Sequence, residues 1–183
     1  KEGKGCNYEG GIRVPCIMRW PERIESGSVT NKLSSSIDIL PTICGITGAP
    51  LPIKQIDGVD ISSILWGFDE TPRTEFYYYY NQNDLEAVRK GWWKLIFPHK
   101  YRSYEGVLPG NNGYRGDYNR GVVTEPILYD LRRDPGERYN VAEIYPEKVK
   151  ELQEVAEKAR IDMGDNLTNR LGQNRRPIGI LYK

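Results

Sequence analysis

The sequence has 183 residues, with 26 basic and 25 acidic side chains and one histidine. That length suits one domain or one and a half, and the nearly cancelling charge leaves no global field to draw in nucleic acid or an acidic membrane surface. No apolar run approaches the roughly 20 residues of a spanning helix, and the three cysteines, Cys6, Cys16 and Cys44, lack metal-ligand spacing and leave at least one thiol unpaired within the chain.

Residues 4–15 read K-G-C-N-Y-E-G-G-I-R-V-P. Gly10 and Gly11 allow a sharp turn or a close backbone approach, between the long polar side chains of Lys4, Tyr8, Glu9 and Arg13. Taken alone, the stretch reads as a glycine turn before a strand, with Glu9 and Arg13 paired for structure. The apolar run 14–20 predicts a short buried strand, near a sheet edge because of Pro15 and Pro21. Ser34, Ser35 and Ser36 offer caps to a helix carrying Ile37, Leu40, Ile43, Cys44 and Thr47 at helical spacing. Pro41 is tolerable in its first turn, and Gly48 ends it. Asp57-Gly58 predicts a turn, and Ile61, Ile64 and Leu65 a short helix stopping at Gly67. Two carboxylates, Asp57 and Asp60, are too few for calcium and read as turn and cap residues.

A different character begins near residue 71. Residues 76–80, F-Y-Y-Y-Y, predict an aromatic strand. Stretches 85–89 and 92–97 flank Lys90-Gly91 as a hairpin, and 127–131 is a fourth strand. Residues 101–124, rich in Gly, Asn, Tyr and Arg, have no periodicity and read as a functional or mobile loop. Asp134-Pro135-Gly136-Glu137 is a turn. From Pro146 a helix presents Val149, Leu152, Val155, Ala156, Ala159 and Met163 on one face and stops at Gly164. The expected fold class is therefore α+β, a four-stranded antiparallel sheet packed on one long helix. Residues 165–183 form a polar tail that wraps a larger body or is disordered; within it, Asn166-Leu167-Thr168 fits a glycosylation sequon.

Two places carry candidate chemistry. Lys4, beside a glycine-rich loop, is a compact cation suited to a sulfate or phosphate oxygen, although lysines are ordinarily solvated. His99 stands in F-P-H-K-Y-R-S-Y with Lys100, Tyr101 and Arg102. That cluster suits an anionic sugar, and it equally fits a half-exposed hairpin. Trp92, Trp93 and the tyrosines can stack on sugar rings, but strand aromatics are more often core.

The opening stretch resembles the K-G-T-x-x-E-G-G-x-R-x-P segment of the sulfatases, in the arylsulfatase branch of the alkaline-phosphatase-like superfamily. Lys4, Gly5, Glu9, Gly10, Gly11, Arg13 and Pro15 match it, with Cys6 and Asn7 where small hydroxyl residues are common. The resemblance continues in order through I-D-I-L-P-T-I, D-G-V-D-I, A-V-R-K-G-W-W-K-L and L-Y-D-L-R-R-D-P-G-E-R-Y-N-V-A. It covers nearly the whole chain, but only the C-terminal portion of a sulfatase. It implies that residues 1–70 end a larger α/β catalytic domain, that 71–164 form the C-terminal subdomain and that 165–183 are a tail.

The resemblance further implies that Lys4 contacts a sulfate oxygen, that Glu9, Gly10, Gly11 and Arg13 are scaffold, and that His99 and Arg102 face the substrate. Hydrolysis in the family needs calcium or a similar divalent cation and a formylglycine made from a C/S-x-P-x-R motif. No Cys or Ser here begins that motif, and the paired metal aspartates and the Asp-Asn pair are missing, since Asp165-Asn166 lies beyond the last helix. This chain is therefore expected to hold no metal and to be inactive alone. The start at Lys1 fits a fragment or processed product. Its expected partners are the N-terminal catalytic portion and a sulfated small molecule or glycan. The implied location is periplasmic, secreted or lysosomal, and an isolated piece would expose apolar surface and associate. The rival readings are a non-catalytic glycan-binding module using His99 and Arg102, and part of a related phosphoester hydrolase.

Overall fold

Strand-forming residues concentrate between Glu75 and Asp130, and there a computed structural model, which describes residues 2–68 and 71–176, builds the central sheet. Strands β1 (Glu75–Tyr80), β2 (Asp84–Lys90), β3 (Trp93–Ile96) and β6 (Ile127–Asp130) pair antiparallel in the order β1-β2-β3-β6. All four lie where the alternation and aromatic content predict them. Between β3 and β6 the chain forms a second ladder, β4 (His99–Ser103) with β5 (Asn119–Val123). This corrects the reading of residues 101–124 as one loop. Polar side chains on these short strands hide the pattern. A Cβ at Gly121 would lie 2.4 Å from the Tyr101 ring, so glycine makes room for an aromatic across the pair.

Helix α4 (Pro146–Met163) opens on proline, where the missing N–H costs nothing, and ends at Gly164 with φ of 85°. Its Leu152, Val155, Ala156 and Ala159 bury against Leu85, Val88, Leu95, Phe97 and Leu128 of the sheet. The tail begins with structure rather than loose chain. β7 (Gly164–Asp165) pairs with β8 (Arg170–Leu171), and the buried Asp165 accepts from Leu85 N–H at 3.1 Å and pairs with Arg160 at 2.9 Å. A polar tie of this kind leaves no apolar signature. The end of the expected tail, 177–183, lies outside the described residues.

The chain divides into two compact units: residues up to Val14 with those from Glu75 onward, and Pro15–Thr74. The opening motif thus belongs with the sheet, not with residues 15–70 as the expected domain division has it. In that motif, Glu9–Ile12 form a single helical turn, α1. The expected strand 14–20 does not form. Val14 is 76% exposed and Ile17 95%, and the bounding prolines remove ladder donors.

Within Pro15–Thr74 the predicted helix is a 3₁₀ turn at Ser36–Asp38 running into α2 (Ile39–Thr47), ended by Gly48 with φ of 74°. A short helix, α3 (Ser62–Leu65), follows. The organising group is Asp38, fully buried. Its carboxylate accepts from Ser35 N–H (2.8 Å), Val59 N–H (3.0 Å) and Arg73 Nε (2.9 Å). Asp38 and Thr42 face loop 57–61, the buried residues of α2 are Pro41, Thr42 and Cys44, and Ile39, Leu40 and Ile43 stand about half exposed. Burial alone would raise the Asp38 pKa. Arg73 and the two backbone donors outweigh it and hold the carboxyl below its ordinary value.

Removing one partner of a buried ion pair strands the other. Asp38→Ala should therefore cost about 3–5 kcal/mol in urea denaturation at neutral pH. The folded pKa is depressed, so this contribution is present above about pH 3.9 and fades as pH falls through the lower folded value. The difference between parent and variant should narrow accordingly.

Candidate functional site

The face of the sheet opposite α4 carries Tyr78, Ala87, Ile96 and Tyr129, and residues of the opening segment cover it. Cys6 and Tyr8 are each 1% exposed there, and Tyr8 meets the Tyr101 ring edge-on at 5.2 Å. The motif glycines have a local reason. A Cβ at Gly11 would fall 2.3 Å from Cys6 O and 2.7 Å from Gly3 O, so the turn closes only without a side chain. Cys6 donates its thiol hydrogen to Gly3 O at 3.1 Å, and burial pushes the thiol pKa up.

Two buried polar clusters fix this segment. In the first, Lys94 on β3 has no exposure; its Nζ donates to Glu9 Oε1 at 3.1 Å and lies 2.8 Å from Glu137 Oε1. Glu137 Oε2 accepts the Glu9 N–H at 2.6 Å. The Tyr78 ring lies 4.8 Å from the ammonium. Burial holds the Glu137 carboxyl above its ordinary range, against the pull of Lys94.

In the second, Glu86 Oε2 accepts from Asn7 Nδ2 at 2.8 Å and lies 3.1 Å from His99 Nε2, an ion-pair contact short of hydrogen-bond alignment. His99 Nδ1 faces Phe97 O at 2.7 Å. A ring nitrogen facing a carbonyl and another facing a carboxylate both call for N–H, which is the imidazolium. Glu86 reaches this face through a β-bulge. Tyr78 pairs with Ala87 and Tyr79 with Leu85, so Glu86 is the extra residue on β2. The bulge re-aims its side chain away from α4.

The predicted site residues fall into two groups. Lys4 is exposed on the turn before Cys6, and its Nζ makes no hydrogen bond or ion pair among the described residues. Its carbonyl accepts from Tyr104 OH at 2.8 Å. Arg102, half-buried, stands beside it: a Cβ at Gly5 would lie 3.3 Å from Arg102 Nη1. The Arg102 guanidinium stacks on Tyr118 at 4.7 Å. Arg102 thus lies against the residue that follows Lys4. His99, by contrast, is 6% exposed, and both ring nitrogens face protein groups. Glu9 is buried on Lys94, Gly10 and Arg13 are at the surface, and Gly11 closes the turn. Lys94, Glu86 and Glu137 are not singled out by the sequence reading. A lysine inside W-W-K-L-I-F was the one available signal, since a charge between apolar neighbours needs a buried partner or a wet face.

His99 is the single histidine of the sequence, so its titration can be read directly by NMR of the ring Cε1–H. Burial would lower its pKa, but the Glu86 carboxylate and Phe97 carbonyl outweigh that and raise it above its ordinary value. The midpoint should lie above about 6.5 and drop in Glu86→Gln. The pair's contribution to stability should be full below about pH 6.5 and disappear as pH rises through the folded value.

Comparison with known proteins gives this surface a context. Residues 71–180 match the family model for the C-terminal region of aryl-sulfatase, and residues 3–104 match that for N-sulphoglucosamine sulphohydrolase, C-terminal. Arylsulfatase A of Homo sapiens is 37% identical over 161 residues, 84% of this chain and 31% of that protein. N-acetylgalactosamine-6-O-sulfatase of Bacteroides thetaiotaomicron is 35% identical, over 86% of this chain and 29% of that protein. A solved Bacteroides thetaiotaomicron structure, a 6S-sulf protein described with the metabolism of multiple glycosaminoglycans, aligns with a TM-score of 0.67 at 33% identity, covering 87% of this chain and 32% of that one. The PsFucS1 sulfatase from Pseudoalteromonas sp. shares the fold, with a TM-score of 0.69 at 24% identity, over 87% of this chain and 32% of that one. The chain spans about a third of the length of these relatives.

Proposed function

The chain belongs to the sulfatase family, matching its C-terminal region, and from that premise we propose that it forms the C-terminal part of an enzyme hydrolysing a sulfate ester. Its own contribution is an anion-facing surface. Lys4 lies against a sulfate oxygen and neutralises the negative charge that grows as the ester bond breaks. Arg102, held by the Tyr118 ring, contacts the rest of an anionic substrate. The observation that carries this reading is an exposed Lys4, without a side-chain partner among the described residues, on a turn whose next residue, Gly5, lies against Arg102 and whose sequence matches the family segment at seven positions. Its buried position makes His99 a support for strand β4 rather than a direct substrate contact.

Among the described residues no group of three His, Cys, Asp or Glu side chains could hold a metal. The divalent cation and formylglycine that the family implies are on this reading held by the rest of the protein. When bound, such a cation polarises the sulfate oxygens. Without that rest, this chain is inactive. The half-exposed Ile39, Leu40 and Ile43 are the surface that the remaining protein covers. The substrate is an aryl sulfate or a sulfated glycan, and a periplasmic, secreted or lysosomal location fits such substrates.

The test is hydrolysis of 4-nitrophenyl sulfate by the complete protein. Lys4→Ala should lower kcat by about 10²–10³-fold, the loss seen when one charge-stabilising donor is removed, with Tm unchanged because Lys4 is exposed. Arg102→Ala should raise KM for a sulfated sugar more than it lowers kcat. A complete protein that binds sulfated glycans without hydrolysing them would overturn the reading in favour of the binding module.

A further inference from the structure

The Lys4 turn owes its position to contacts several residues away. Five residues downstream, Glu9 is held at two points: its carboxylate by Lys94 and its backbone N–H by Glu137. Lys94 comes from β3, and Glu137 from the turn that follows its neighbour β6. Two further observations say that this arrangement serves geometry. First, buried charges are a poor route to stability, because well-packed apolar residues of similar volume usually do as well or better. Second, Glu137 adopts φ of 54°, a conformation that glycine or asparagine takes more easily. A fully buried glutamate kept in that conformation is kept for its carboxylate.

We infer that Lys94 and Glu137 are positioning residues for the Lys4 turn, a buried clamp on Glu9 that sets where the Lys4 ammonium stands relative to a bound anion. The inference rests on the reading of Lys4 as the anion contact. The clamp acts across one short turn: Glu9 begins α1, Gly11 closes the turn onto Cys6 O and Gly3 O, and Gly3 directly precedes Lys4. A shift of Glu9 along the sheet face therefore moves Lys4 with it. Neither Lys94 nor Glu137 touches the substrate.

The test is a double-mutant cycle in the complete protein with 4-nitrophenyl sulfate. Glu137→Gln keeps the volume and an acceptor for the Glu9 N–H but removes the charge. Glu9→Gln leaves the Lys94–Glu137 pair intact, so it strands no buried charge and serves where Glu137→Gln does not fold. Either variant should lower kcat about 10- to 100-fold, the scale of a small misplacement, with KM changed little. In the Lys4→Ala background the same substitution should have almost no further effect. Hydrogen exchange should quicken in peptides covering residues 4–13 while β3 and α4 keep their protection. Losses that multiply with Lys4→Ala, or protection lost equally across the sheet, would overturn the clamp and leave Lys4 in its role. Lys4→Ala without effect on kcat would overturn the role of Lys4, and the clamp with it.

Discussion

A lysine ammonium with no access to water governs how this chain is assembled. Long cationic side chains ordinarily run their stem along apolar surface and keep the charge wet. Lys94 cannot, because its neighbours on β3, Trp93 and Leu95, turn toward α4 and strand alternation commits Lys94 to the opposite face. That face is sealed by Cys6, Tyr8 and Tyr129. Desolvating an ammonium costs several kcal/mol unless carboxylates stand close. The two that do, Glu9 and Glu137, lie 85 and 43 residues away in sequence. The requirement to neutralise one charge thus draws the opening segment and the turn after β6 to the same spot.

The two faces of the sheet consequently obey different physics. Toward α4 the contacts are apolar and non-directional, and a range of side chains of similar volume would serve. Toward the opening segment they are directional, built from carboxylates, an amide, an imidazole and an ammonium, and each group limits where the next can stand. A stable platform on one side and an oriented segment on the other suits the role proposed for the Lys4 turn.

Much of the architecture was legible in the sequence. The four main strands and α4 follow from aromatic content, alternation and a helical stripe, because both the sheet and the helix bury apolar residues on one side. What escaped was held together by polar groups. The β4–β5 ladder, the Gly164–Leu171 turn anchored by Asp165 and the buried side of α2 around Asp38 carry no periodic apolar signal. The motif residues behaved likewise. Charge and context point to Lys4 and Arg102, and the same signals point to His99, which is buried. Its partner Glu86 sits in L-E-A-V, where no spacing rule marks a buried carboxylate.

The bulge at Glu86 has a consequence for how this strand can change over evolutionary time. On either side of it, β2 obeys opposite parities: Leu85 and Val88 face α4 although an odd number of steps separates them. A one-residue deletion at the bulge would restore regular alternation and still leave Leu85 and Val88 facing α4, now two steps apart. The helix-facing core is therefore indifferent to the extra residue. What the extra residue supplies is a second adjacent side chain on the opposite face, where Glu86 meets Asn7 and His99 beside Ala87. Lineages that have lost Glu86 by such a deletion should keep the apolar face against α4 intact and lack the Asn7–Glu86–His99 cluster.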